Sequence, residues 1–120
     1  MRLLVCGGRD YHHIEVVYAT LDEIYREHEI ELLIHGGASG ADSLAGSWAL
    51  ERDIPVREFL AEWSLWGGRA GNMRNSKMLR EGKPHMVVAF PGGSGTRDMV
   101  RKARLEGIPV EIQVVSAMIS

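Results

Sequence analysis

The stretch Met86–Gly107, MVVAFPGGSGTRDMVRKARLEG, holds the fold's repeating unit in one pass. Met86 to Phe90 is an unbroken apolar run, the pattern of a strand buried on both faces of a parallel sheet. The run ends at Pro91-Gly92-Gly93-Ser94-Gly95-Thr96, residue types that make tight turns. From Thr96 to Glu106, Met99, Val100 and Ala103 recur at helical spacing and are expected on an inner face. Gly107 stands just past the end, where helices commonly finish in a left-handed residue. Strand, glycine loop and helix together make half of a parallel crossover unit.

The same unit recurs upstream. Leu3 to Cys6 is a strand that runs into CGGRD. Ile14, Val17, Tyr18, Leu21, Ile24, Tyr25 and His28 then mark an amphipathic helix. Leu32 to His35 is a second strand, followed by HGGASGAD and a helix marked by Ala41, Leu44, Ala45, Trp48 and Ala49. Val56 to Leu60 reads as a third strand, with Arg57 and Glu58 placing it at a sheet edge. A polar helix is expected over Asn72 to Arg80, and a fifth strand over Val110 to Val114. Trp63 and Trp66 fall in an irregular run before Gly67-Gly68.

Strands alternating with helices imply right-handed crossovers and an α/β fold: a five-stranded parallel sheet of order 3-2-1-4-5, helices on both faces. The first two helices are expected on one face and the last two on the other. The glycine loops follow strands one, two and four, so all three emerge at the carboxyl edge beside the point where the strand order reverses. Ligands of open α/β sheets bind there.

A loop that brings backbone amides close to a ligand needs residues without a Cβ. Where such a loop opens a helix, the unpaired first-turn amides and the helix dipole favour an anion, typically phosphate. Turn chemistry alone explains any one of these loops; three converging loops point to a nucleotide-sized site. The dinucleotide fingerprint GxGxxG with a downstream acid is absent, and so is GxxxxGK[ST].

Composition narrows the classes. At 120 residues, one compact domain spanning 1–120 is expected. Fourteen basic against sixteen acidic residues give a formal net charge of −2, which argues against duplex DNA. No run approaches the roughly 18 apolar residues of a membrane span, and MRLLVCGG reads as a strand rather than a signal peptide. One cysteine excludes an internal disulfide, and a cytoplasmic location is expected. Cys6 and the histidines His12, His13, His35 and His85 show no metal-ligand spacing; no metal and no further cofactor is expected.

CGGRDY, IHGGASGAD, GNMRNSKML and VVAFPGGSGTRDMV together resemble the small YspA-type proteins of the SLOG superfamily, over most of the chain from Leu3 to about Val110. The resemblance implies a Rossmann-like three-layer sandwich and nucleotide-type binding. That superfamily also holds the LOG phosphoribohydrolases, the DNA-processing protein DprA and domains that sense NAD-derived signals such as ADP-ribose. LOG enzymes carry PGGxGTxxE and MxxRK, whose glutamate and arginine are catalytic. Here those positions are Met99 and Ser76, the latter followed by Lys77. Methionine cannot stabilise an oxocarbenium-like centre, and serine carries no charge. Asp98 and Arg74 are the nearby candidates, but one residue turns a helical side chain by about 100°.

The expected ligand-binding set is Gly7, Gly8, Arg9, Asp10, Gly36, Gly37, Ser39, Asp42, Arg74, Asn75, Pro91, Gly92, Gly93, Ser94, Gly95 and Thr96, with Lys77 beside the crevice. Asp42 has two readings, a contact to a ribose hydroxyl or a cap on its own helix. Arg9 and Asp10 either meet phosphate or ribose, or cap the first helix and bridge each other. His35 reads as a satisfied buried histidine. Arg97, Arg101 and Arg104 read as a solvated helix face, and Trp63 and Trp66 as a base-stacking surface or a dimer contact. The leading function is binding of a nucleotide or nucleotide-derived ligand of the ADP-ribose or NAD-derived type, as sensor, carrier or sequestering protein. The alternatives are N-glycosidic hydrolysis of a nucleoside monophosphate and DprA-like binding of single-stranded DNA. A homodimer or higher homo-oligomer is expected, with no membrane and no nucleic-acid partner.

Overall fold

The computed structural model describes residues 1–113. Its strands are β1 (Arg2–Cys6), β2 (Leu32–His35), β3 (Val56–Glu58), β4 (Met86–Ala89) and β5 (Val110–Ile112). Its helices are α1 (Ile14–Glu27), α2 (Ala41–Glu51), α3 (Trp63–Trp66), α4 (Ala70–Lys77) and α5 (Ser94–Leu105). All strand pairs are parallel, in the order β3-β2-β1-β4-β5. This is the Rossmann-like order read from the alternation of apolar runs and glycine loops.

Side chains alternate across a strand, so β1 feeds two cores. Leu3 and Val5 pack with Val17, Leu21 and Ile24 of α1 and with Ala45 and Trp48 of α2. Leu4 and Cys6 pack on the opposite face with Met78 and Leu79, and with Met99 and Ala103 of α5. Trp48 is fully buried, and its indole N–H donates to Asp22 Oδ1 at 2.9 Å, which satisfies the one polar atom the ring carries into the core.

Several boundaries differ from the sequence reading. β3 stops at Glu58: Phe59 still donates to the His35 carbonyl, but Leu60 turns outward at 65% exposure. The run around Trp63 is helical rather than irregular, as α3 followed by a 3₁₀ turn over Gly67–Arg69. The helix expected over Asn72 to Arg80 starts earlier, at Ala70, and after Lys77 widens into a π turn over Met78–Gly82 that Lys83 closes in left-handed geometry. Tertiary packing overrides local glycine content here, since Ala70, Met78 and Leu79 are all buried. α5 begins at Ser94 rather than Thr96, which matters for the site below. β5 spans Val110–Ile112, and Val114 lies outside the described residues. No described helix is long and apolar enough to cross a membrane.

Candidate functional site

The three glycine loops are bonded into one edge. The Gly8 amide donates to the Pro91 carbonyl at 2.9 Å, and the Gly8 carbonyl accepts from Tyr11 and Ala41 at 3.2 and 3.1 Å. Most of the glycines exist for this close approach. A Cβ on Gly7 would stand 2.5 Å from Ala41 Cβ, and one on Gly8 would stand 2.9 Å from the Pro91 carbonyl. Gly40 is the tightest joint, at φ 76° with the Gly8 and Arg9 carbonyls where a Cβ would go. Gly40→Ala is therefore expected to cost about 2 kcal/mol, read as a lowered thermal midpoint, because positive φ and the backbone overlap both oppose a methyl group.

Gly93 and Gly95 differ: a Cβ on either would meet nothing within 4 Å. They flank the start of α5, where Gly93 is the N-cap, no side chain caps the helix and its first turn has no acid. The amides of an uncapped first turn want an acceptor, and the local dipole favours an anion. α2 also lacks a side-chain cap of the ordinary kind, but its loop carries its own anion. Asp42 Oδ2 accepts from the Gly36 and Ala38 amides at 3.1 and 3.2 Å. The Asp42 carboxylate thus reaches back into the loop and does not cap its helix. Of the two glycine-opened helices, α5 is the one left to receive an anion from outside.

The α5 first turn lines a cleft of about 350 Å³ at the carboxyl edge of the sheet. Gly7, Gly8, Arg9, Asp42, Arg74, Asn75, Gly93, Ser94, Gly95 and Thr96 line it, joined by Ala38 and Trp63. Arg74 Nη1 donates to the Gly36 carbonyl at 2.7 Å and its Nε donates to Asn75 Oδ1 at 3.1 Å, which leaves Nη2 uncommitted. Asn75 in turn donates from Nδ2 to the Gly95 carbonyl at 3.0 Å and to Asp98 Oδ2 at 3.1 Å. Only 3% exposed, Asn75 fixes the Arg74 guanidinium relative to the first turn of α5. Arg9 stands over Trp63, its Cζ 5.6 Å from the ring, a cation–π distance.

Burial shapes the charges around this cleft. It pushes the Asp42 carboxyl above its ordinary value, against the lowering pull of the Ala38 amide and of His35 and Arg74. Burial lowers Arg74, opposed by the Asp42 charge. The Cys6 thiol is pushed up to about 12, chiefly by burial and further by Asp42, so it is not a nucleophile at neutral pH.

The remaining expected residues stand elsewhere. Gly36, Gly37 and Ser39 line an adjoining hollow that shares Arg9, Trp63 and Arg74 with the cleft, and the Ser39 hydroxyl donates to the Arg9 carbonyl at 3.2 Å. Asp10, Pro91 and Gly92 line a second adjoining hollow with His12 and His13, which shares Gly8, Arg9 and Gly93 with the cleft. No ion pair joins Arg9 to Asp10 among the described residues, and α1 has no side-chain cap. Lys77 is not beside the cleft: it lies with Leu60, Trp66 and Arg80 on another surface. His35 is buried, its Nδ1 accepting from the Gly37 amide at 2.9 Å. Arg97, Arg101 and Arg104 are exposed, and Arg101 pairs with Asp98.

The positions that carry catalysis in LOG enzymes are occupied differently. Met99 is 0% exposed in the core beneath α5, and the Ser76 hydroxyl donates to the Asn72 carbonyl one turn back. Asp98 does not line the cleft. Burial works to raise its carboxyl, but Lys102, Asn75 and Arg101 outweigh that and hold it below its ordinary value. Residues missed from sequence include Gly68, Gly71, Asn72 and Met78, which line the cleft from the α3–α4 segment. The glycine pair before Arg69 and the motif GNMRNSKML, which holds Gly71, Asn72 and Met78, were the signals that pointed there.

A family model described as the YspA, cpYpsA-related SLOG family matches residues 1–66. The chain is also 36% identical over 117 residues to the Gene 61 protein of Mycobacterium phage D29, covering 91% of this chain and 93% of that one. Matching motifs, sheet order and loop placement agree: the chain belongs to the YspA, cpYpsA-related SLOG family, a membership that suggests nucleotide-related binding or processing.

Proposed function

We propose that the cleft binds a nucleotide or nucleotide-derived ligand of the ADP-ribose or NAD-derived type, and that the protein acts as a sensor, carrier or sequestering protein. The observation that carries this reading is the contrast between the two glycine-opened helices. The α2 loop already holds the Asp42 carboxylate, while the α5 first turn is uncapped, free of acid and open at Gly93 and Gly95. A phosphoryl group on the Ser94, Gly95 and Thr96 amides would also meet the free edge of Arg74. Trp63, half exposed at the rim beside Arg9, offers a face for a base. The volume suits one nucleoside monophosphate, with room beyond it in the adjoining hollow.

Hydrolysis is the weaker reading because no carboxylate occupies position 99 and Asp98 is committed to Asn75, Arg101 and Lys102. We further propose self-association through the β3 edge of the sheet, where Val56, Leu60, Leu65 and Trp66 are exposed.

Gly95→Ala tests the phosphate cradle. The methyl group enters open space, so the fold is unharmed and the helix gains slightly from alanine. AMP affinity, measured by equilibrium dialysis, is expected to fall about tenfold, the cost of displacing one charge-assisted hydrogen-bonding group. Unchanged affinity in the variant would place the phosphate elsewhere.

A further inference from the structure

Asp42 is 6% exposed, yet only one of its two carboxylate oxygens is used. Oδ2 is locked by the Gly36 and Ala38 amides, which fixes the plane of the carboxyl group. Among the described residues, Oδ1 accepts no hydrogen bond. Among the described residues no side-chain nitrogen or oxygen sealed from solvent lacks a partner, so Oδ1 keeps some solvent contact, and Asp42 is a lining residue of the cleft. A carboxylate oxygen so held is costly unless a donor comes to it.

The donor's chemistry follows from its neighbours. Arg9 and Arg74 line the same cleft, and the α5 first turn presents unpaired amides there, so a cationic ligand is repelled. What remains is a neutral donor carried by an anion, and on a nucleotide the sugar hydroxyls are the neutral donors nearest the phosphate that the α5 first turn would hold. We propose that Asp42 Oδ1 accepts a hydrogen bond from a hydroxyl of the ligand's sugar, making Asp42 the residue that requires that hydroxyl in this site. This rests on the nucleotide reading above and adds a specificity to it. The pre-set orientation of Asp42 makes the selection strong, because a site built around a buried acceptor rejects a ligand that leaves it unpaired.

The test compares AMP, 2′-deoxy-AMP and 3′-deoxy-AMP by isothermal titration on the wild-type protein and on Asp42→Asn. Asparagine keeps an oxygen for the Gly36 and Ala38 amides but withdraws the anionic acceptor. In the wild type at least one deoxy analogue is expected to bind about tenfold or more weakly than AMP, naming the hydroxyl. That ratio should fall toward one in the variant. Equal affinity for all three ligands in the wild type overturns the proposal while leaving the phosphate site intact, and this comparison needs no variant to fold. A wild-type ratio that Asp42→Asn leaves unchanged assigns the hydroxyl to another residue and also overturns it. Failure of AMP and of every other ribonucleotide to bind overturns both readings together.

Discussion

Met99→Glu, which restores the LOG-type glutamate, is expected to destabilise the protein rather than confer hydrolysis. Met99 is fully buried in a cluster with Leu4, Cys6, Met78, Ala103 and Ala89, and among the described residues no sealed side-chain donor is left unpartnered to receive a carboxyl group. Lost packing and an unpaired polar group together cost about 4 kcal/mol, a fall in thermal midpoint on the order of 15 °C. The pH dependence has a definite sign. A carboxyl at this depth stays protonated in the folded chain, while the unfolded chain ionises it near its ordinary value of about 4.3. The native state then binds the extra proton, so stability falls as pH rises from about 4 toward neutral. Calorimetry at pH 4 and pH 7 checks both points. A stable variant that releases free base from AMP would mean position 99 faces the ligand.

Arg74→Ala is expected to weaken AMP binding by about 2–3 kcal/mol, roughly 30- to 150-fold, the measured scale of a charge-assisted contact. Its guanidinium is held from two sides, by the Gly36 carbonyl and Asn75 Oδ1, in the cleft that the α5 first turn also lines. The arrangement is pre-formed, so the ligand does not have to order it. Removing the side chain also frees the Gly36 carbonyl, for which about 1 kcal/mol of stability is lost. Arg74→Lys separates the effects: it keeps the charge and loses the fork, and should recover part of the affinity. Titration of AMP into both variants, with thermal unfolding alongside, checks the split. Wild-type affinity in Arg74→Ala would remove Arg74 from the site.

The centre of the sheet was legible because β1, β2 and β4 are short, continuous apolar runs each ended by a glycine loop, as at Val87–Phe90 and Leu3–Cys6. Strand order followed from those runs, since the two most apolar strands had to be central. The α3–α4 segment was less legible, because Gly67, Gly68 and Gly71 argue against helix locally while burial of Ala70 and Asn75 imposes it. The start of α5 was misread by two residues for the same reason: Ser94 and Gly95 are weak helix formers, yet they form the turn that matters most.

Spacing brought Arg9, Asp42, Arg74 and the PGGSGT loop to one edge, and the cleft contains the three side chains and the Gly93–Thr96 part of the loop, while Pro91 and Gly92 line the neighbouring hollow. What spacing could not give was the use of each group. Asp42 was read as a helix cap or a sugar contact, and its bonds to Gly36 and Ala38 run backward along the chain, against the usual capping direction. Gly40 went unnoticed among its neighbours, although a Cβ there would strike two carbonyls of the first loop. Asn75 needed the approach of two helices distant in sequence before its role between Arg74 and α5 appeared.

The most direct measurement incubates the purified protein with AMP, GMP, NAD, ADP-ribose and cyclic ADP-ribose, then applies mass spectrometry to the filtrate and to the denatured protein. The result expected is an intact nucleotide retained by the protein, with none of the panel cleaved. Catalytic accumulation of free base and ribose phosphate, or a protein fraction that retains nothing from the panel, would contradict a binding cleft built on the first turn of α5.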